Sequence, residues 1–163
     1  MGVFDNFINK SKVGITCATD NINNYIVDMC DTICKKCEYG DAMERLNKFE
    51  RVFYVTQALE MEVNNGGFSQ FFYNSSGNLS SELVHAFTEI GAMNTVEICK
   101  KALEAFGRDI PIDRDERQDM LEEVESEEID DILNECDDTF YKYADNLNAL
   151  NYAYIMKHKE YFN

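Results

Sequence analysis

The sequence predicts an all-α fold, a compact bundle of about seven helices around one core. Apolar residues recur at helical spacing, every three or four positions, along most of the 163 residues. One proline and eight glycines are too few for an all-β sandwich, which needs a turn about every 8–12 residues. Apolar residues make up 45% of the chain, enough to bury a core and to exclude a wholly disordered protein.

The first predicted helix runs from residue 20 to residue 39 and stops at Gly40. We expect residues 1–163 to form a single all-helical domain. Within it, residues 1–39 form a helical extension at the N-terminus of the remaining bundle.

The second helix is predicted to begin at a capping box formed by Asp41 and Glu44, with aspartate in place of serine. Its apolar face is wide and continues to Val63, which predicts a central position in the bundle. The pair Gly66-Gly67 is predicted to end this helix, because glycine enters the left-handed backbone region without penalty.

Two further helices are predicted between glycine stops. The first covers residues 79–90 and ends at Gly91. The second starts at another box-like pair, Asn94 and Glu97, and ends at Gly107.

The last third of the chain is predicted to contain two acidic helices and a closing helix. Pro111 marks a turn into the first acidic helix, whose apolar residues end at Val124. The second begins at Ser126 and carries an apolar stripe as far as Phe140. A final amphipathic stretch covers residues 147–162.

Negative charge is concentrated in one stretch of the sequence. The formal net charge is −16, and residues 109–138 contribute −13 of it through 15 acidic residues and two arginines. Direct binding to nucleic acid or to an anionic membrane would have to overcome this repulsion, so we expect a cationic partner. No export signal and no apolar run of about 20 residues is visible, which predicts a cytoplasmic protein with reduced cysteines.

The second acidic helix is amphipathic, so its carboxylates are predicted to project outward from a rigid element. A fixed array of carboxylates is suited to displacing DNA from a basic groove, whereas the alternative is a solvated face that keeps the protein soluble. The residues predicted to form this acidic face, and to bind a partner, are Glu122, Glu123, Glu125, Glu127, Glu128, Asp130, Asp131, Glu135, Asp137 and Asp138.

The cysteines include one pattern with metal-ligand spacing. Cys30-x3-Cys34-x2-Cys37 has the spacing of an iron–sulfur site in radical enzymes that use S-adenosylmethionine, but no strand precedes it. On a helix these positions share one apolar face, which favours buried free thiols. A three-thiolate zinc site, completed by Cys17, Cys99 or a histidine, is the alternative.

A second pattern, Glu82-x-x-His85, is half of a di-iron signature. The second half is absent, because Ile155 stands three residues before the other histidine, His158. A histidine on the helix surface is therefore the favoured interpretation. We expect no catalytic residue, no metal and no cofactor.

The most distinctive segment places four aromatic residues in six positions, interleaved with amide side chains. We interpret it as a buried corner in which aromatic rings anchor a turn and amides satisfy backbone groups. A polar pocket is the functional alternative. The residues of this motif are Asn64, Asn65, Gly66, Gly67, Phe68, Gln70, Phe71, Phe72, Tyr73 and Asn74.

This run resembles the hallmark of a bacterial family named for a DNA-mimic protein, whose other members mostly carry a domain of unknown function. The runs Ile90-Gly91-Ala92 and Cys136-Asp137-Asp138-x-Phe140-Tyr141 are similar to later parts of that family. The resemblance covers residues 40–162. It implies an all-helical fold, no known cofactor and, in the named member, a homodimer that imitates DNA to occupy a transcription regulator.

These observations together predict a non-enzymatic protein-binding module. Its most concrete form is a DNA mimic whose acidic face occupies the DNA-binding surface of a transcription regulator or another basic DNA-binding protein. The alternatives are an interaction module for a different partner and a metal-binding enzyme. The enzyme would use the cysteine cluster, or Glu82 with His85.

Overall fold

Seven α-helices make up most of residues 13–162, the part of the chain that the computed structural model describes, and no strand lies among them. The predicted all-α fold is therefore confirmed. The helices are α1 Val13–Lys36, α2 Lys48–Tyr73, α3 Leu83–Ile90, α4 Met93–Glu104, α5 Arg114–Val124, α6 Glu127–Phe140 and α7 Leu147–Lys157. Short 3₁₀ segments connect or follow them at Glu38–Gly40, Met43–Arg45, Ser75–Glu82 and Lys159–Tyr161.

Helix α2 is the centre of the bundle and contacts α1, α3, α5, α6 and α7. Its side chains Phe53, Leu59, Phe68, Phe71 and Phe72 are fully buried. The central position predicted from its wide apolar face is confirmed. Within the described residues, no helix combines the length and hydrophobicity needed to cross a membrane.

The start of α2 lies at Asn47 rather than at the predicted box of Asp41 and Glu44. The Asn47 side chain accepts hydrogen bonds from two backbone N–H groups of the first turn. The backbone N–H of Asn47 donates to Glu50 Oε2 at 3.0 Å. The other oxygen of the buried Glu50 carboxylate accepts from Lys36 of α1 at 2.6 Å. The prediction was wrong because the box at Asn47 also forms this ion pair with α1, whereas Asp41 and Glu44 are exposed.

The pair Gly66-Gly67 kinks α2 without ending it. Gly67 has φ +80° and ψ −178°, outside the helical region, and the helix resumes at Phe68 and continues to Tyr73. The Phe68 N–H, directly after the kink, donates to Asp137 Oδ1 at 2.8 Å. The prediction is confirmed in part: the helical backbone breaks at these glycines, but residues 68–73 form a second helical segment whose first N–H is accepted by α6.

Helix α4 is capped from the connection between α6 and α7 and not by the predicted pair Asn94 and Glu97. Asp145 Oδ2 accepts the Thr95 N–H at 2.8 Å and the Thr95 hydroxyl at 2.9 Å, while Oδ1 accepts from the Asn94 amide at 2.8 Å. Glu97 forms an ion pair with Lys100 at 2.7 Å. A distant carboxylate therefore performs the role predicted for the local box.

We expect Asp145→Ala to lower the free energy of unfolding at pH 7 by about 1–2 kcal/mol, because it removes the cap of α4. Burial raises the pKa of Asp145, but hydrogen bonds from Asn94 and Thr95 outweigh it and hold the pKa below its ordinary value. The ionised cap therefore stabilises the fold above the unfolded pKa of about 3.9, and this contribution is lost as the pH falls through the folded value.

Urea unfolding of the wild type and Asp145→Ala at several pH values checks this prediction. The difference between their unfolding free energies should shrink as the pH falls below about 4. A difference that stays constant over that range would contradict capping by the ionised carboxylate.

Three other predicted boundaries are confirmed. Gly91, at φ +81°, ends α3. Pro111 lies in the turn before α5. Ser126 caps α6, where its hydroxyl oxygen accepts the Ile129 N–H at 3.3 Å. Residues 1–12 of the predicted N-terminal extension lie outside the described part of the chain.

Candidate protein-binding face

The acidic face lies on α5, on α6 and on the two residues that join them. All but one of the carboxylates predicted for it are exposed. The exposed members are Glu122, Glu123, Glu125, Glu127, Glu128, Asp130, Asp131, Glu135 and Asp138. The exception is Asp137, which is half-buried because its carboxylate turns inward to the backbone of α2.

Few of these carboxylates have a cation within the molecule. Among residues 13–162, the ion pairs of the acidic face join Glu123 to Arg108 at 2.9 Å and Glu135 to Lys101 at 2.7 Å. The hydrogen bond from Lys101 lowers the pKa of Glu135. The remaining exposed carboxylates form no such pair in this part of the chain, so the face carries a large uncompensated negative charge.

Arg117 attaches α5 to the rest of the bundle. Its side chain is fully buried, although α5 is otherwise strongly acidic. Its guanidinium donates to backbone and amide oxygens at the C-terminal end of α2, in the following 3₁₀ segment and just before α5. The acceptors within 3.0 Å are the carbonyls of Phe72, Asn74, Pro111 and Ile112 and the Asn78 side chain.

The acceptors of Arg117 explain how a cation is buried without a carboxylate partner. The C-terminal end of a helix carries a partial negative charge and unpaired carbonyl groups, which favour a positively charged donor. Burial is the main cause that lowers the pKa of Arg117. Arg117 therefore fixes the acidic helix to the end of the central helix.

Helix α6 is held by its apolar stripe and by contacts at its C-terminal end. Leu133, Cys136 and Phe140 are buried against the core. The Tyr141 hydroxyl donates to the Val63 carbonyl at 2.8 Å, next to the bond between Asp137 and the backbone of α2. Burial raises the pKa of Asp137, while the N–H that it accepts opposes this shift. Asp137 thus links α6 to α2.

The aromatic motif of residues 64–74 forms the kinked end of α2. Its rings at Phe68, Phe71 and Phe72 are fully buried, and Phe72 packs edge-on against Phe106 with ring centroids 4.9 Å apart. Tyr73 is exposed at the helix end. Two of the three stretches that carried the sequence resemblance, this motif and residues 136–141, therefore contact each other in the fold.

The amide side chains of the motif bind a carboxylate that belongs to the same helix. Glu62 accepts hydrogen bonds from Gln70 at 2.6 Å, from Asn74 at 3.0 Å and from the Ser76 hydroxyl at 2.8 Å. Asn64 donates to the Tyr143 hydroxyl at 2.6 Å. This network spans the kink and fits a structural corner, but the prediction that Gln70 and Asn74 satisfy backbone groups was wrong, because both amides donate to the Glu62 carboxylate.

The cysteine pattern does not assemble a metal site in the described part of the chain. Cys30 and Cys34 lie with their sulfur atoms 3.9 Å apart, while the Cys37 thiol donates to the Cys34 carbonyl at 3.5 Å. Burial raises the pKa of Cys37, which favours the thiol over the metal-binding thiolate. No group of three potential ligands is placed to hold a metal among these residues, and Cys99 is buried in the core. The side chain of Cys17 lies outside the described residues.

Glu82 and His85 also do not share the contacts expected of a pair of metal ligands. The Glu82 carboxylate accepts two hydrogen bonds from the Arg51 guanidinium, at 2.6 and 2.7 Å. His85 is exposed on α3. The arrangement is a two-point ion pair that joins the start of α2 to the start of α3.

Sequence reasoning missed the role of Arg117, although the sequence contained a signal for it. Arg117, Met120, Leu121 and Val124 have helical spacing, which places the arginine on the apolar face of α5. A cation on a buried face needs several acceptors, and this requirement alone predicts a structural role.

The comparisons with known proteins bear on the same part of the chain. A family model described as DMP19-like protein matches residues 44–158. This range contains all of α2 to α7, and therefore both acidic helices. The comparisons with curated proteins and with solved structures returned no match.

Proposed function

Because the chain belongs to the DMP19-like protein family, we propose that it acts by binding, as a DNA mimic. Its acidic face occupies the DNA-contacting surface of a basic DNA-binding protein and prevents DNA from reaching that surface. A transcription regulator is the most specific partner of this kind. The proposal includes no catalytic step, no cofactor and no direct contact with nucleic acid.

The observation that carries the proposal is the row of nine exposed carboxylates on two fixed helices and the residues between them, of which only Glu123 and Glu135 have an ion pair within residues 13–162. A carboxylate array replaces phosphates only if its charges stay in place and are free to meet a partner's cations. Arg117 holds α5, and Asp137 with Tyr141 holds α6, so both helices are rigidly attached. The charges between these attachments are exposed.

The spacing of the charges on α6 supports a binding role over a purely structural one. Acidic residues in the first turn, such as Glu127, stabilise the helix through its dipole. Asp131, Glu135 and Asp138 lie beyond that turn and repel one another at separations of three or four residues, and within residues 13–162 only Glu135 of the three has an ion pair, with Lys101. These charges are unfavourable for α6 by itself, and a cationic partner relieves the repulsion.

Capture from a lysate of the source cells, with the chain immobilised, tests the class of partner. We expect basic DNA-binding proteins among the retained proteins, and we expect an added DNA duplex to elute them. Retention of proteins that the duplex does not elute would favour the alternative, an interaction module with a different partner.

Neutralising five carboxylates should abolish binding to the captured partner while the fold survives. The variant changes Glu to Gln and Asp to Asn at exposed positions with no internal ion pair in the described chain: Glu125, Glu127, Glu128, Asp130 and Asp131. Wild-type affinity should fall steeply with added salt, because exposed charges are screened over about 10 Å at 0.1 M salt. Titration calorimetry measures the affinity, and circular dichroism checks that the helices remain.

A matched control removes the same number of charges from other surfaces. Its five positions are also exposed: Asp28, Asp41, Glu44, Glu89 and Glu104. The control should keep most of the affinity, since net charge alone acts only at long range. Equal loss of affinity in both variants would show that overall charge, and not the acidic face, drives binding. Unchanged affinity in the first variant would refute the proposed function.

A further inference from the structure

An apolar cleft opens between the two acidic helices. Helix α5 packs against α2 and the 3₁₀ segment Ser75–Glu82, whereas α6 packs against α2 and α4. Because the helices meet the core at different places, a space of about 220 Å³ remains between them. Its apolar lining includes Phe72, Phe106, Leu121, Val124, Ile129 and Leu133.

The size of the cleft indicates what kind of group fits it. Pockets for cofactors and drug-sized molecules measure roughly 300–1,000 Å³, so this cleft is too small for them. An apolar cavity of about 150 Å³ accepts benzene, so a volume of 220 Å³ accommodates one aromatic or branched aliphatic side chain. Leu121, Val124 and Ile129 are only half-buried in the free chain, although they lie on the inner faces of their helices.

The residues around the cleft indicate the surroundings of that side chain. Glu122, Glu125 and Asp130 also line it, and all three are exposed. In the described structure none of them has an ion pair with a cation of the chain. A partner therefore binds most tightly if positive charges flank the apolar group that enters the cleft, because those charges pair with the three carboxylates.

We propose that the cleft binds one large apolar side chain of the partner, flanked by lysines or arginines that meet the three carboxylates. This inference rests on the proposed function and specifies the surface that the partner presents. Contacts of charge alone lose most of their affinity in salt. Burial of one such side chain adds a contribution that salt does not screen, worth roughly a ten-fold to hundred-fold gain in affinity.

A synthetic peptide with one central tryptophan and four lysines on each side is a direct probe. The chain contains no tryptophan, so all tryptophan emission comes from the peptide. On binding, we expect the emission to shift to the blue and to become protected from acrylamide quenching. At about 0.3 M salt, where exposed charges are screened within less than about 8 Å, the tryptophan peptide should bind at least about ten-fold more tightly than an alanine version.

A cleft-filling variant separates the cleft from the charges around it. Ser69 is exposed and lines the cleft, so Ser69→Phe places a ring in the cleft without changing the charge. It should abolish the blue shift while the peptide still binds at low salt. Thr88→Phe adds the same ring at an exposed position of α3, outside the residues that line the cleft, and should keep the blue shift.

Three other results would overturn the inference that the cleft binds an apolar side chain. Peptide that binds without a blue shift, or equal affinities of the tryptophan and alanine peptides at 0.3 M salt, would leave the acidic face as the binding surface but refute the cleft. A blue shift that persists in Ser69→Phe would place the tryptophan elsewhere. The competition of the chain with DNA is measured separately, so a failure of the cleft is distinguishable from a failure of the proposed function.

Discussion

Replacing Arg117 with methionine is expected to lower the free energy of unfolding by about 3–5 kcal/mol. Methionine fills much of the same volume but donates no hydrogen bond. The carbonyls of Phe72 and Asn74, with those of Pro111 and Ile112, would each lose a donor that lies within 3.0 Å. Buried acceptors without partners cost about 1–3 kcal/mol each, less where water reaches them.

Two further substitutions show whether the geometry or the charge of the Arg117 guanidinium is responsible for its contribution to stability. Arg117→Lys keeps the charge, but one lysine ammonium cannot donate to all the acceptors that surround the planar guanidinium. It should therefore recover less than half of the stability that Arg117→Met loses. Arg114→Met is the matched control. Arg114 is exposed on the same helix, and its replacement should change stability by less than about 0.5 kcal/mol.

Urea unfolding followed by circular dichroism measures these differences. Hydrogen exchange of the α5 amides should also accelerate in Arg117→Met more than exchange in α7, because Arg117 fixes α5 directly. If Arg117→Met proves as stable as Arg114→Met, the carbonyl cluster does not hold the acidic helix, and the rigid presentation of its charges loses its main support.

The second large effect is expected for Gly67→Ala, which should cost about 2–3 kcal/mol. Gly67 has φ +80° with an extended ψ, a combination that residues with a side chain avoid. A methyl group there would also collide with the Asp137 carboxylate. That carboxylate cannot move away freely, because it accepts the Phe68 N–H.

Gly91→Ala measures the cost of a positive φ alone. Gly91 has nearly the same φ, +81°, but its ψ of 19° lies in the ordinary left-handed region, and no atom lies within 4 Å of where its methyl group would be. It should cost only about 1–2 kcal/mol, the price of the left-handed backbone. Thermal or urea unfolding measures both variants. Equal losses of stability would show that neither the extended ψ of Gly67 nor the approach of Asp137 adds to the cost of its positive φ, and a tolerated Gly67→Ala would contradict the kink itself.

Local patterns were sufficient to predict that most of the helices exist and where the charge lies, but not where α2 begins or what caps α4. In α6, Ser126 provides the cap, and Ile129, Leu133, Cys136 and Phe140 recur at helical spacing, which leaves the intervening acidic residues outside. The same reasoning placed Asp137 outside, and there it was incomplete. The position of Asp137 on the helix allowed either orientation, and only the nearby N–H of Phe68 explains why it turns inward.

The sequence by itself determined the all-α class, the central role of α2 and the acidic surface of α5 and α6. These properties follow from residues three or four positions apart, because one turn of helix brings such residues onto the same face. Only the tertiary structure decided how the helices are capped, kinked and attached. Thr95 is capped by a carboxylate 50 positions away, Phe68 by one 69 positions away, and Arg117 reaches Phe72 across 45 positions. A hydrogen bond between such distant residues produces no periodic pattern, since it depends on how the helices pack and not on the spacing within any one of them.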